Sequence, residues 1–288
     1  MIAIISDIHG NLEALEAVLA DIDRRGIKDI ICLGDVVGYG ASPGECLDLV
    51  IERARFSMCG NHDQAVFYEP YNFNIGAERA CFWTRDLFER EPHKAARDRR
   101  WEFLGRLPFR VQLKDLLFVH ASPRRPVNEY LFAEDVYTNP HKILANFERL
   151  EDGQRACFTG HTHVPGVFLD DPYFDPPSEL PEPNVFELSP DEKAIINVGS
   201  VGQPRDQDSR AGYVLLYGYD NLLDDFTLDD DNNEDKPIML NQAAAPQGGV
   251  LPKIEFVRVE YDIDKAVAKV KAVPELDDFL GERLYEGR

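Results

Sequence analysis

Positive charge is scarce in this sequence: 52 acidic residues stand against 31 lysines and arginines, a formal net charge of −21. A protein that grips nucleic acid gains affinity from clustered Lys and Arg, so a nucleic-acid partner is not expected. Paired cysteines are also lacking. The five cysteines are an odd number, scattered, with no Cys-x-x-Cys spacing; Cys32, Cys59 and Cys157 lie in or beside short apolar runs. That pattern excludes a disulfide framework and fits reduced, buried thiols in a cytoplasmic protein. No apolar run reaches the length of a membrane span. Met1 to Ile5 leads straight into polar residues, without the layout of a secretory leader. A soluble cytoplasmic protein without a membrane partner is expected, and nothing in the pattern assigns an oligomeric one.

What is present suits an α/β enzyme. With 288 residues and 44% apolar content, the chain can bury a full core, and one domain over 1–288 is expected. Ile2 to Ile5, Ile30 to Leu33 and Phe56 to Cys59 read as buried strands. Between them lie helices over Asn11 to Arg25, with Leu12, Leu15, Leu19 and Ile22 on one face, and from Ser42 toward Arg53. Ser42-Pro43-Gly44-Glu45 has the form of a capping box with proline at the first helical position. This is a parallel βαβαβ start. Residues 64–107 read as a helical insertion, with helical periodicity around Ala77 to Phe88 and Lys94 to Leu104, that could overhang a site. A hairpin over Arg110 to Val119 then turns at Lys114-Asp115. A helix near Asn139 to Leu150 and strands at Ala156 to Thr159, Ala194 to Val198, Tyr213 to Tyr217 and Ile254 to Tyr261 follow, before two closing helices. Segments 170–191 and 221–252, acidic or rich in Pro and Gly, read as long loops.

Residues that bind metals collect at the ends of these strands. Asp7 and His9 follow the first, Asp35 the second and Asn61 the third, while His120, His161 and His163 follow later ones. Ligands of open α/β sheets bind in the loops beyond the carboxyl ends of the strands. Each piece alone is weak, since Asn61 could cap a helix and a lone His120 could be a satisfied core residue. Their joint occurrence, in chain order and each after an apolar strand, points to a pair of divalent cations. His93 and His141 sit away from such strands and read as surface residues.

Asp7-x-His9, Gly34-Asp35, Gly60-Asn61-His62-Asp63, His120 and Gly160-His161-x-His163 resemble the five signature blocks of the calcineurin-like metallophosphoesterases. Asn197-Val198-Gly199-Ser200 and Gly202-Gln203-Pro204-Arg205 resemble the later part of small prokaryotic members. The resemblance implies a four-layer α/β/β/α sandwich of two mixed sheets. It also implies one metal held by Asp7, His9, Asp35 and His163, and a second held by Asp35, Asn61, His120 and His161, with Asp35 bridging. Imidazole mixed with carboxylate suits Mn or Fe, with Zn and Ni next. In such a centre two metals about 3.5–4 Å apart neutralise phosphate oxygens and hold a hydroxide that attacks phosphorus.

His62 is the candidate proton donor to the leaving oxygen, with Asp63 expected to orient it and keep it protonated. Asn11, Arg124 and Arg205 are candidate contacts to a phosphate. The expected substrate is a small phosphorylated, nucleotide-like molecule, cleaved as a diester or monoester. Alternatives are a dinucleoside polyphosphate hydrolase, a DNA nuclease of the same fold, and a scaffold protein without activity. A protein Ser/Thr phosphatase is disfavoured. Gly34-Asp35-Val36-Val37-Gly38-Tyr39-Gly40 lacks the second Asp and the Arg of their second block, and the third block ends in Asp63 rather than Glu.

Overall fold

Alternation of side chains along each strand decides the layering. The protein is described by a computed structural model covering residues 1–151, 153–219, 222–224, 238–240 and 251–288. In strand β1 (Ile2–Ile5), Ile2 and Ile4 belong to one buried cluster, whereas Ala3 and Ile5 belong to another. A strand points successive side chains to opposite faces, so β1 must be covered on both. Helices α1 (Leu12–Arg24) and α2 (Pro43–Arg53) cover the Ala3/Ile5 face, and β2 (Asp29–Cys32) and β3 (Phe56–Ser57) follow β1 in parallel within the same sheet. This is the βαβαβ unit expected from the sequence.

Three helices follow, α3 (Asn61–Phe67), α4 (Ile75–Glu89) and α5 (Lys94–Gly105); α4 and α5 lie within the 64–107 segment expected to be a helical insertion, and α3 begins before it. The hairpin β4 (Val111–Leu113) and β5 (Leu116–Phe118) pairs antiparallel, as its turn signal requires. After α6 (Asp135–Thr138) and α7 (Pro140–Phe147) come β6 (Ala156–Thr159), β7 (Gly166–Leu169), β8 (Tyr173–Asp175), β9 (Val185–Glu187), β10 (Ala194–Asn197) and β11 (Ala211–Tyr217). Strands β12 (Ile238–Leu240) and β13 (Lys253–Val259) precede the closing helices α8 (Ile263–Lys271) and α9 (Asp278–Glu282).

These strands form two mixed sheets, ordered β3-β2-β1-β11-β13-β9 and β12-β4-β5-β6-β10-β7-β8. Their inner faces meet in one core, where Ile4, Ile31 and Val214 of the first sheet join Phe118, Phe158 and Ile196 of the second. The outer face of the second sheet places Leu117, Cys157 and Ile195 against Ile143 and Phe147 of α7. The result is helix, sheet, sheet, helix, the four-layer sandwich the resemblance implies. Among the described residues no helix is long and apolar enough to cross a membrane.

Two local expectations need correction. Ser42 caps α2 without a side-chain bond to the helix, because its hydroxyl instead accepts from Lys269 of α8 at 3.2 Å. The capping box is replaced by a tertiary contact. Segment 170–191 is not a plain loop: β8 extends the second sheet beside β7, and β9 closes the edge of the first beside β13. The expected loop at 221–252 lies largely outside the described residues. Within it, β12 pairs in parallel with β4.

Candidate metal centre

The carboxyl ends of β1, β2 and β6 turn sharply, and the turning residues are the candidate ligands themselves. Asp7, His9, Asp35, His161 and His163 all have φ between 50° and 66°. Such left-handed conformations disfavour residues with a Cβ and cluster at functional sites. The backbone around them is tied tightly. Asp7 N–H donates to Gly34 carbonyl, His9 N–H to Asp35 carbonyl and Gly160 N–H to His120 carbonyl, at 2.8–3.0 Å. Gly60 must be glycine because a Cβ there would fall 2.1 Å from Asp35 Oδ1. The run from Asn197 to Gln203 works as a buttress. Asn197 Nδ2 donates to Gly160 carbonyl (2.6 Å), and the Ser200 hydroxyl donates to Asp7 carbonyl (2.8 Å).

All seven candidate ligands are buried and converge. His9 Nδ1 donates to Val37 carbonyl at 3.2 Å, and His163 Nδ1 to Gln203 carbonyl at 2.5 Å. A carbonyl only accepts, so both rings carry their proton on Nδ1 and a lone pair on Nε2. Those two Nε2 atoms lie 3.1 Å apart. Asp7 Oδ1 is 3.2 Å from one and Asp35 Oδ2 is 3.6 Å from the other. The second half repeats this logic. His120 Nδ1 donates to Leu33 carbonyl at 2.9 Å, while its Nε2 sits 3.2 Å from Asn61 Oδ1, 3.2 Å from His161 Nδ1 and 3.4 Å from Asp35 Oδ2.

Acceptors crowded together without donors repel one another, and a cation between them removes that repulsion. The residues therefore fit a metal in both halves. Asp7, His9 and His163 form one group whose ligand atoms lie within 4.8 Å of one another; Asp35, His120 and His161 form a second. His62 joins His9 and Asp35 in a third. Asp7 Oδ1 and His161 Nε2 are buried without a hydrogen-bond partner.

The electrostatics agree with a cation-seeking site. Burial alone would raise the Asp7 and Asp35 carboxyls, yet both are held well below the usual range, Asp35 chiefly by His120 beside it. Burial pushes His161 down to about 3 and lowers His9 and His163, so these rings are neutral and can offer lone pairs. His120 moves the other way. Burial opposes its charge, yet Asp35 raises it to about 9, so a proton there stands in for missing positive charge.

The structure separates the remaining candidates. His62 lines a cavity of about 460 Å³ beside Asn61 and His161, next to the centre. Asp63 does not orient it. The Asp63 carboxylate accepts four backbone N–H bonds, from Asp35 (2.7 Å), Gly60 (3.0 Å), Val36 (3.0 Å) and Val37 (3.3 Å). Nor is His62 kept protonated: burial brings it down to about 4, against the pull of Asp35. Asn11 caps α1, accepting from Ala14 N–H at 3.2 Å, and donates to Gly202 carbonyl at 2.8 Å, so both ends of its amide are used inside the fold. Arg124 is committed to Glu129 by a two-nitrogen ion pair. Arg124 thus spends Nε and Nη2 on Glu129, and the Asn11 amide is held inside the fold.

Arg205 is different. Its Nη2 donates to Gln203 Oε1 at 2.8 Å, its Nε is buried without a partner, and its guanidinium lies 5.9 Å above the Tyr39 ring. Tyr39 itself packs 4.7 Å from His9 and 4.4 Å from His62. Sequence reasoning missed Tyr39, whose position between two glycines was its one signal. It also missed Tyr130, stacked 3.9 Å over His161, and Cys81, whose Sγ is 3.7 Å from His62 Nδ1.

Residues 1–220 match the calcineurin-like phosphoesterase superfamily domain, and the chain belongs to that family. It is 38% identical over 295 residues to the protein MJ0912 of Methanocaldococcus jannaschii, covering all of this chain and 98% of that protein. A metallophosphoesterase from Sphaerobacter thermophilus has a similar structure, with 32% identity, TM-score 0.72, and coverage of 100% of this chain and 98% of that one. The hypothetical protein PH1004 of Pyrococcus horikoshii shares the fold at 15% identity and TM-score 0.63, with the same coverage.

Proposed function

We propose that this phosphoesterase cleaves a small nucleotide-like phosphate ester, as a diester or a monoester, with two divalent cations. The observation that carries this reading is the convergence of seven buried acceptor side chains with almost no donor among them. Asp7, His9, Asp35 and His163 would hold one cation, and Asp35, Asn61, His120 and His161 the other. Manganese or iron suits this mixture of imidazole and carboxylate best, with zinc and nickel next. Bound there, the cations would supply Lewis-acid charge against the phosphate oxygens and acidify a water to a nucleophile at neutral pH.

The chain's own residues do the rest. Arg205, whose guanidinium lies over Tyr39 beside His9, would offer its positive charge to an oxygen of the substrate, charge that an acidic protein otherwise lacks. His62 reaches the leaving oxygen as a neutral imidazole, donating a hydrogen bond from its ring N–H. The cavity beside the centre offers the aromatic faces of Tyr71 and Phe73 and the amides of Gln64, Asn72 and Asn128. Planar hydrogen-bonding groups such as nucleobases suit walls of that kind. No lysine or arginine lines this cavity among the described residues, which weighs against a nuclease track. All five cysteines are free and buried, in keeping with a reducing cytoplasm.

The reading is tested by hydrolysis of bis-p-nitrophenyl phosphate beside p-nitrophenyl phosphate, on metal-stripped protein titrated with Mn²⁺. Metal-dependent turnover, faster on the diester, supports a phosphodiesterase; no turnover on either with metal bound would remove support for this substrate class. Arg205→Ala is expected to raise KM by roughly 10- to 100-fold, the worth of one charge-assisted contact. A KM within twofold of the wild type would take Arg205 out of the site.

A further inference from the structure

The residue that faces His62 from behind is a thiol. Its Nδ1 sits 3.7 Å from Cys81 Sγ, on α4 of the helical insertion. It also lies against bare backbone, since a Cβ built on Gly38 would fall 2.3 Å from it. The ring plane is fixed by Tyr39, Phe73 and His9, whose centroids lie 4.4–4.8 Å away. Nε2 has no hydrogen-bond partner among the described residues, and the side chain lines the cavity. Cys81 thus meets the ring at Nδ1, and His9 and Asp35 also lie near a ring nitrogen of His62.

A neutral imidazole has one N–H and one lone pair, and which nitrogen carries the proton is set by the partner of the other. Sulfur is a poor acceptor, whereas an imidazole lone pair is a good one, so the favourable bond runs from S–H to Nδ1. Cys81 is 1% exposed, and burial pushes its thiol far up, so the proton stays on sulfur. The alternative tautomer would turn an Nε2 lone pair toward an anionic substrate and leave the thiol without an acceptor.

We infer that Cys81 is a positioning residue: its S–H donates to His62 Nδ1 and holds the ring in the tautomer that carries its proton on Nε2, facing the cavity. The inference rests on the proposed role of His62 as donor to the leaving oxygen. It gives the helical insertion over 64–107 a part in the chemistry, although none of the seven candidate metal ligands lies in that segment.

Two measurements test it. Long-range ¹H–¹⁵N NMR of the metal-free full chain, with His62 assigned by His62→Gln, is expected to show the Nε2–H tautomer in the wild type and in Cys81→Ser. Cys81→Ala should shift His62 to a mixture or to Nδ1–H. A wild-type ring protonated on Nδ1, or a Cys81→Ala ring indistinguishable from wild type, would overturn the inference. In Mn²⁺-loaded protein, Cys81→Ala is expected to lower kcat on an alkyl phosphate ester about tenfold, a part of the effect typical of positioned proton donors. KM should stay within about twofold, p-nitrophenyl esters should suffer much less, and Cys81→Ser should restore turnover. Equal loss on both ester types would contradict the positioning role. His62→Ala is run beside it: absence of a leaving-group split there would sink the proposed role of His62, while the NMR result still decides the tautomer.

Discussion

Asp35→Asn is expected to lower kcat/KM by about 10³-fold or more and to reduce bound metal below two ions per chain. Three contacts converge on this one carboxylate. Oδ2 lies 3.6 Å from His9 Nε2 and 3.4 Å from His120 Nε2, so it faces both halves of the centre, while Oδ1 accepts from His62 N–H at 2.7 Å. An amide keeps the shape but removes the negative charge that two cations would share. If the amide nitrogen takes the Oδ2 position, it sets a donor where only acceptors converge. Metal content by elemental analysis and turnover on bis-p-nitrophenyl phosphate are read on the same preparation. Wild-type turnover in this variant would remove Asp35 from the centre.

The second large effect belongs to Asp63 and is one of stability. Each of its oxygens accepts two backbone N–H bonds, Oδ2 from Asp35 and Gly60, and Oδ1 from Val36 and Val37. The group is 1% exposed, so water cannot replace it. Asp63→Asn offers one oxygen for the four donors and leaves two of them unpaired. At about 1–3 kcal/mol for each unsatisfied buried group, the loss is roughly 2–6 kcal/mol. Urea unfolding should show a lower midpoint with an unchanged slope. Activity should fall too, because the same bonds fix the turns that carry Asp35 and Asn61. A midpoint equal to the wild type would mean that these loops hold their shape without Asp63.

Much of the site was legible because it obeys a positional rule. Asp7, Asp35, Asn61, His120 and His161 each sit just beyond an apolar run, and the sheet brings those ends together. The strand-helix alternation over the first 60 residues was equally plain, since Ile2, Ile4, Ile31 and Phe56 are buried on one face and Ala3, Ile5, Ile30 and Cys32 on the other. What escaped was set by contacts between distant segments. Ser42 carries a capping signal, yet its hydroxyl meets Lys269 across 227 positions. Arg124 is near His120 in sequence, but Glu129, five residues on, claims it. Asp63 follows His62 directly, and its carboxylate turns to the Asp35 loop instead. Strands β8 and β9 were hidden because each has three residues, among prolines and acids, and they form only by extending sheets already built.

The centre's claim is that two cations share one carboxylate among seven buried ligands. Calorimetric titration of metal-stripped protein with Mn²⁺, followed by hydrolysis of bis-p-nitrophenyl phosphate at each step, tests it most directly. Binding of two ions per chain, with turnover appearing as the sites fill and vanishing on chelation, is the expected result. Turnover that survives complete removal of metal, or saturation at a single ion with full activity, would contradict it.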